Sequence, residues 1–379
     1  MRGRIFRELS RSAAVAIVRD SPADVIAAAD RLRATPADVL FVARCQGIAA
    51  HLLALVEREP RPWPDELREG LDSETARIAA RGTRLADDLR ALGHAASKAG
   101  LPLVPLKGSF LRSERYARPA LRPSADIDLL ARPDDVPGWR ALLRRLGYTV
   151  EQVTPRHRIF SHPTRTPVTT DGDHPDHPRP VELHERLAEL VLGRRFDITS
   201  AYLAQLEHGT VLGDVPALTP GPAALGLHLV LHAGHDMLDR GLRICQLLDL
   251  RFVDGSAETV AALRAHLGEV AWAVAALSDR DVPGLLPSTI VRGVADLAPG
   301  WWRRRGILSR PGLLQGDPYR LTTVAGELRL TGSPFQVAHR VMAAWHDRVA
   351  AHDQARGKRA AGYLATLAAY LGAATRRER

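Results

Sequence analysis

From residue 21 to residue 99, apolar positions recur every three or four residues, the period of helices that bury one stripe. Pro22-Ala-Asp opens one such segment, Thr35-Pro-Ala-Asp38 opens another, and Leu67 to Lys98 carries the pattern over a longer stretch. Pro60, Pro62 and Pro64 interrupt it, because proline removes a backbone donor and clashes with the preceding turn. At Leu101 the texture changes. Leu101-Pro-Leu-Val-Pro-Leu106 is short and apolar, as a strand would be, and runs through Lys107-Gly108-Ser109 into a helical pattern over 110–116. Ala125 to Ala131 reads as a strand, and Pro133-Asp-Asp135 starts a helix that passes Leu142, Leu143 and Leu146 and stops at Gly147. Residues 148–153, 158–161 and 181–187 read as further strands, with 163–180 an exposed hairpin loop rich in proline, aspartate and histidine. Beyond residue 197 helical periodicity returns over 222–237, 242–253, 257–277 and 334–375. Residues 301–318 read as a loop or subdomain junction, and Arg376, Arg377 and Arg379 as a frayed end.

This order predicts an α/β (α+β) chain with a mixed sheet in a core spanning 100–197. An N-terminal helical region, 1–99, and a C-terminal helical domain, 198–379, flank it. The 379 residues are 45% hydrophobic and 25% charged, enough for a sizeable core and incompatible with a disordered chain. The net charge of +9 is carried almost wholly by arginine, since only Lys98, Lys107 and Lys358 are lysines. So uniform a bias says little about a nucleic-acid partner, but it makes a lysine beside a glycine worth attention. Cys45 and Cys245 lack metal-ligand spacing and read as reduced thiols of a cytoplasmic protein. The apolar stretch 13–18 is too short for a signal-peptide core and no run is long enough to span a bilayer, so no membrane partner is expected.

The candidate chemistry centres on Asp126 and Asp128. Two apart on a strand, they project from one face while Ile127, Leu129 and Leu130 can bury. Two anions so placed repel each other unless a divalent cation lies between them. A turn and helix start at Lys107-Gly108-Ser109 precede them, and another strand-borne acid, Glu182, follows. Gly108 lets backbone approach a ligand, Ser109 offers a hydroxyl, and the helix start offers free N–H groups to phosphate. Lys107 is a candidate phosphate contact. Arg122 is expected either to support phosphates or to pair with Asp126 or Asp128. His184 shares the face of Glu182 and is expected to line an acceptor pocket or orient that acid, unless it is simply a half-buried, hydrogen-bonded histidine. His228, His232 and His235 fall on one helix face and are read as packing or cleft-lining residues, for want of a fourth zinc ligand by spacing. Arg243 and Asp249 on the following helix are expected to face them, as an ion pair.

Leu106-Lys-Gly-Ser109, Arg122-Pro-Ser-Ala-Asp-Ile-Asp-Leu-Leu130 and Val181-Glu-Leu-His184 together resemble the DNA polymerase β-like nucleotidyltransferase superfamily. The resemblance is closest to its bacterial branch of uncharacterised nucleotidyltransferases. It covers about residues 101–187, with weaker helical similarity over 222–253. Glu182 stands where aspartate is common in this branch, and Ser124-Ala125 replaces a glycine-containing turn. The resemblance implies a polymerase β-like core in which Asp126, Asp128 and Glu182 hold two Mg²⁺ or Mn²⁺ ions. Gly108 and Ser109 would cradle the triphosphate of an NTP substrate, and the NMP would pass to a hydroxyl with release of pyrophosphate.

The acceptor is left open among a small molecule, a peptide or protein, and RNA. Two other readings stand beside this one: a non-catalytic nucleotide-binding or assembly protein using the same carboxylates, and a toxin-like enzyme that modifies tRNA. Neither a dinucleotide fingerprint, nor a P-loop, nor a hydrolase nucleophile elbow is present.

Overall fold

The computed structural model describes residues 3–308 except 59–62, 155, 163–177, 192–193 and 240. The helix expected over 334–375, most of the 163–180 loop, the junction beyond 308 and the arginine-rich end lie outside the described residues. The chain begins with a helix that its pattern did not announce. This helix, α1 (Gly3–Arg19), buries Phe6, Leu9, Ala13, Ala16 and Ile17 along one stripe. Helices α2 (Ala23–Leu32), α3 (Pro36–Gln46) and α4 (Ala49–Val56) follow, then the 34-residue α5 (Asp65–Lys98). The Thr35 signal acts as read: its hydroxyl accepts from the Asp38 N–H, and the Asp38 carboxylate accepts from the Thr35 N–H. The stripe that α5 buries runs Leu67, Leu71, Glu74, Ile78, Arg81, Leu85, Leu89, Leu92 and Ala96.

Next come α6 (Lys107–Glu114), β1 (Ile127–Leu130), α7 (Val136–Arg145), β2 (Thr149–Val153), β3 (His157–Ser161) and β4 (Val181–His184). The expected mixed sheet is present, in the order β1-β4-β3-β2, with β1 parallel to β4 and the other pairs antiparallel. The segment 101–106 is not the full strand its pattern predicts. It makes an isolated antiparallel bridge, Pro105 to Leu129, because Pro102 and Pro105 have no N–H to give a ladder. It is nonetheless held on both sides, by Leu106 N–H and Leu130 N–H bonds along β1 and by the Leu218 N–H bond to the Leu103 carbonyl.

Two hairpins follow the strand expected over 181–187, the second of them inside the region beyond 197 expected to be helical. The β4 strand ends at His184, and β5 (Ala188–Val191) pairs with β6 (Arg194–Asp197). After the short α8 (Thr199–Leu203), β7 (Leu206–Val211) pairs with β8 (Val215–Pro220) around Gly213, whose φ of +83° suits a tight turn. Then follow α9 (Pro222–Asp239), α10 (Ile244–Leu247) with a 3₁₀ turn over Leu248–Phe252, α11 (Ala257–His266) and α12 (Glu269–Asp281). The helix read over 257–277 is split at Gly268, which takes a φ of +51°. Helices α13 (Ser288–Gly293) and α14 (Trp301–Leu308) complete the described chain, so the first part of the expected 301–318 loop is helical. No helix among the described residues is long and apolar enough to cross a membrane.

Candidate active site

Strand parity divides the sheet into two unlike faces. Ile127, Leu129, Val181, Leu183 and Phe160 are fully buried and join one continuous core with Trp139, Leu142 and Leu143 of α7. The opposite face carries the polar residues. Asp128 on β1 is the direct register partner of Glu182 on β4, and His184 is paired with His157 on β3. Adjacent strands lie about 4.8 Å apart, so Asp128 and Glu182 are side by side. Asp126 enters from the residue just ahead of β1, and all three carboxylates line one open cavity of about 330 Å³.

The start of α6 builds the cavity's rim. Lys107 adopts a φ of +41°, an unusual conformation for a residue with a side chain, and its Nζ lies 3.3 Å from Asp128 Oδ1. A Cβ at Gly108 would lie 2.8 Å from Ser124 Oγ, so a side chain there would have to displace that hydroxyl. Ser124 in turn donates to Asp126 Oδ1 at 3.1 Å and so orients that carboxylate. Ser109 is buried away from the cavity lining, and its Oγ accepts from the Asp128 N–H at 2.9 Å, which fastens α6 to β1 at the aspartate. The Ser109 and Phe110 N–H groups both bond to the Leu106 carbonyl, leaving those of Lys107 and Gly108 as the amides at the open helix end.

The three acids differ electrostatically. Burial and the neighbouring Asp128 and Glu182 charges push the Asp126 pKa up to about 7, against weaker pulls from Lys107 and the Ser124 hydroxyl. Burial acts the same way on Asp128, but Lys107 and the His184 ring, 2.8 Å from Oδ1, hold its pKa well below the usual carboxylate range. Burial would also raise Glu182, yet His184 and Lys107 outweigh it and the net shift is downward. Lys107 and His184 are themselves raised, because the carboxylates beside them more than offset the cost of burying a cation. His157 moves the opposite way: burial and the adjacent His184 charge lower it to about 4.

Helix α9 and the segment after it form the far wall. His232, His235, Asp236, Arg243, Cys245 and Gln246 line the cavity opposite the acids, with Arg156 paired to Glu189 at its edge. His228 is buried beside the cavity rather than in it, edge-on to Tyr202, and burial lowers its pKa to about 3. His232 is pushed well below its ordinary value, first by burial and then by the Lys107 charge. His235 Nδ1 lies 3.2 Å from the Leu190 carbonyl and so ties α9 to β5. Arg122 pairs with neither Asp126 nor Asp128. Its guanidinium grips Asp249 at 2.8 Å, and Tyr116 donates to the same carboxylate at 2.9 Å. The expected Arg243–Asp249 pair is therefore absent. Arg243 instead donates from Nε to the Cys45 carbonyl, because Gly47, at a φ of +66°, brings the end of α3 against α10.

Sequence reasoning missed Arg81. It lies within the buried stripe of α5 and donates to the carbonyls of Ser124, Ala125 and Pro178 at 3.2, 2.5 and 2.9 Å. One guanidinium thus clasps the turn that carries Asp126 and the segment that leads into β4 and Glu182. An arginine at a core position of an otherwise apolar helical stripe was the signal available. Arg81→Met is expected to lose about 1 to 3 kcal/mol of stability by removing the hydrogen bonds that a buried guanidinium makes to these three carbonyls, measured by urea denaturation.

Asp126, Asp128 and Glu182 offer oxygen donors in an open cavity with more negative charge than Lys107 balances, a donor set that fits a hard divalent cation. Residues 34–259 match the model of a family described as uncharacterised nucleotidyltransferase. No curated protein and no solved structure matches the chain.

Proposed function

The chain belongs to the uncharacterised nucleotidyltransferase family, and from that premise we propose that it moves an NMP from an NTP to a hydroxyl group and releases pyrophosphate. One observation carries the reading: Asp126, Asp128 and Glu182, from two neighbouring parallel strands, line a single cavity beside the Lys107-Gly108 helix start. In this reading the two aspartates hold both divalent ions, Mg²⁺ or Mn²⁺, and Glu182 completes the one nearer the acceptor. When bound, the ions lower the pKa of the attacking hydroxyl and neutralise the triphosphate. The protein's own groups do the positioning. Lys107 and the free N–H groups at the start of α6 receive the β- and γ-phosphates, Ser124 fixes the Asp126 rotamer, and Ser109 fixes the backbone of Asp128.

We assign this chemistry to residues 100–197 and the shaping of the cleft to the flanking regions 1–99 and 198–379. The acceptor, whether small molecule, protein or RNA, would enter along the wall formed by His232, His235 and Asp236. A cytoplasmic setting, where NTPs are abundant and both free cysteines stay reduced, completes the proposal.

The test incubates the full chain with Mg²⁺ and each α-labelled NTP in turn, with tRNA, total protein or small-molecule extract as acceptor. Label is expected to transfer from the preferred NTP with stoichiometric pyrophosphate. Transfer that persists undiminished in the Asp126→Asn/Asp128→Asn double variant would remove the reading.

A further inference from the structure

The same sheet face holds a second group of metal donors that shares Glu182 with the polymerase-like carboxylate set and adds two histidines that set does not use. His157 on β3 and His184 on β4 are register partners, and Glu182 lies on the same face two residues before His184. His184 Nε2 is 3.6 Å from Glu182 Oε2, His157 Nε2 is 3.8 Å from that oxygen, and the two rings are centred 5.0 Å apart. All three donor atoms lie within 4.8 Å of one another. Asp128 Oδ1 lies 2.8 Å from His184 Nε2 as that ring's hydrogen-bond partner, outside the three-donor group. For bonds of roughly 2.1 Å, donors around one ion sit about 3 to 3.5 Å apart, so a small inward movement closes the set.

The ring of His157 is half-buried and otherwise unexplained. Its Nδ1 is buried with no hydrogen-bond partner among the described residues, and its Nε2 lies 3.8 Å from Glu182 beside the His184 ring. A histidine kept only for packing gains nothing from that arrangement, whereas a ligand position accounts for the direction of Nε2.

We propose that His157, Glu182 and His184 form a transition-metal position in the cleft, one that takes Mn²⁺, Co²⁺ or Zn²⁺ ahead of Mg²⁺. Two imidazole nitrogens with one or two carboxylate oxygens match borderline divalent ions, while Mg²⁺ favours oxygen and keeps its waters. Asp128 is taken by Lys107, 3.3 Å from its Oδ1, so the position consists of the three-residue set. The biological role of this ion rests on the nucleotidyl-transfer reading. The binding itself does not, and is tested without nucleotide.

The full chain, stripped with chelator, is titrated with Mn²⁺ and Co²⁺. The spin-echo spectrum of the Mn²⁺ form is expected to show directly coordinated nitrogen, and Co²⁺ to give a ligand-field spectrum of mixed nitrogen and oxygen ligation. His157→Gln is expected to weaken Co²⁺ binding at least about tenfold and to change that spectrum. Spectra of all-oxygen ligation in the wild type would overturn the proposal without any variant, and so would a His157→Gln protein that folds and keeps its Co²⁺ affinity within twofold. Nitrogen ligation in a protein that transfers no nucleotide would sink the proposed function and leave this site standing. Transfer supported by an oxygen-only site would do the reverse.

Discussion

Asp126→Asn is expected to cut nucleotidyl transfer about a thousandfold while leaving the metal-free protein at least as stable as its parent at pH 8. The loss follows from the role proposed for this carboxylate: an amide is a poor ligand for a hard cation, and about 4 kcal/mol of transition-state stabilisation corresponds to three decades in rate. The gain in stability follows from the pKa of about 7, which burial, Asp128 and Glu182 impose on Asp126 against an ordinary value of 3.8. Between those two values the folded chain binds more protons than the unfolded one, so this residue's contribution to stability falls as pH rises from about 4 to 7. Above pH 7 the folded state bears the whole repulsion, and asparagine removes it, by roughly 1 kcal/mol after allowance for the open cavity. Thermal denaturation in chelator at pH 4, 6 and 8 should therefore show a difference between variant and parent that is absent at pH 4 and largest at pH 8. Equal stability at all three values would mean that the three carboxylates do not share one field.

The neighbouring Asp128 should behave in the opposite sense. Its carboxylate is paired with Lys107 and His184, so Asp128→Asn leaves a buried ammonium and an imidazole without their partner and destabilises the fold as well as ending transfer. Two aspartates of one motif, two residues apart, are thus separable by stability alone.

The three acids were legible because strand parity is a strict period: residues two apart share a face, and a third acid on another strand needs only the right register to meet them. The local helix signals were legible for a similar reason, as at Thr35, where the cap lies within four residues of sequence. What escaped was non-local. Arg122 could be paired on paper with Asp126 or Asp128, and only the return of the chain at Asp249 decides the matter. Arg81 and Glu74 hid inside an apolar stripe that counts as helical whatever they do. Glu74 is paired there with Arg44 and Arg77, and Arg81 bonds to carbonyls that have no sequence signature. The 101–106 segment misled because its hydrophobicity is that of a strand while its prolines forbid most of the ladder. His157 belongs to a strand read from Arg158 onward, and it stands opposite His184 through the register of β3 on β4, a relation that no sequence spacing reveals.

Arg122→Met is expected to lower stability by about 3 to 5 kcal/mol, the cost of leaving a buried charge without its partner. Asp249 is 4% exposed, and the Tyr116 hydroxyl also donates to it. Burial already raises the Asp249 pKa even with Arg122 in place, so removing the guanidinium must raise it further. The folded variant then holds a proton that the unfolded chain releases, so the variant loses stability as pH rises and its deficit shrinks toward pH 4. Replacing both partners, Arg122→Met with Asp249→Leu, removes the orphaned charge, and the double variant should be less impaired than the two single losses added together. Urea denaturation of the four proteins measures this coupling. A phosphate-binding Arg122 predicts a different pattern: additive changes within about 0.5 kcal/mol, and a raised KM for the NTP. The buried, doubly bonded pair favours the first outcome, in which Arg122 joins the turn ahead of β1 to the 3₁₀ turn that follows α10.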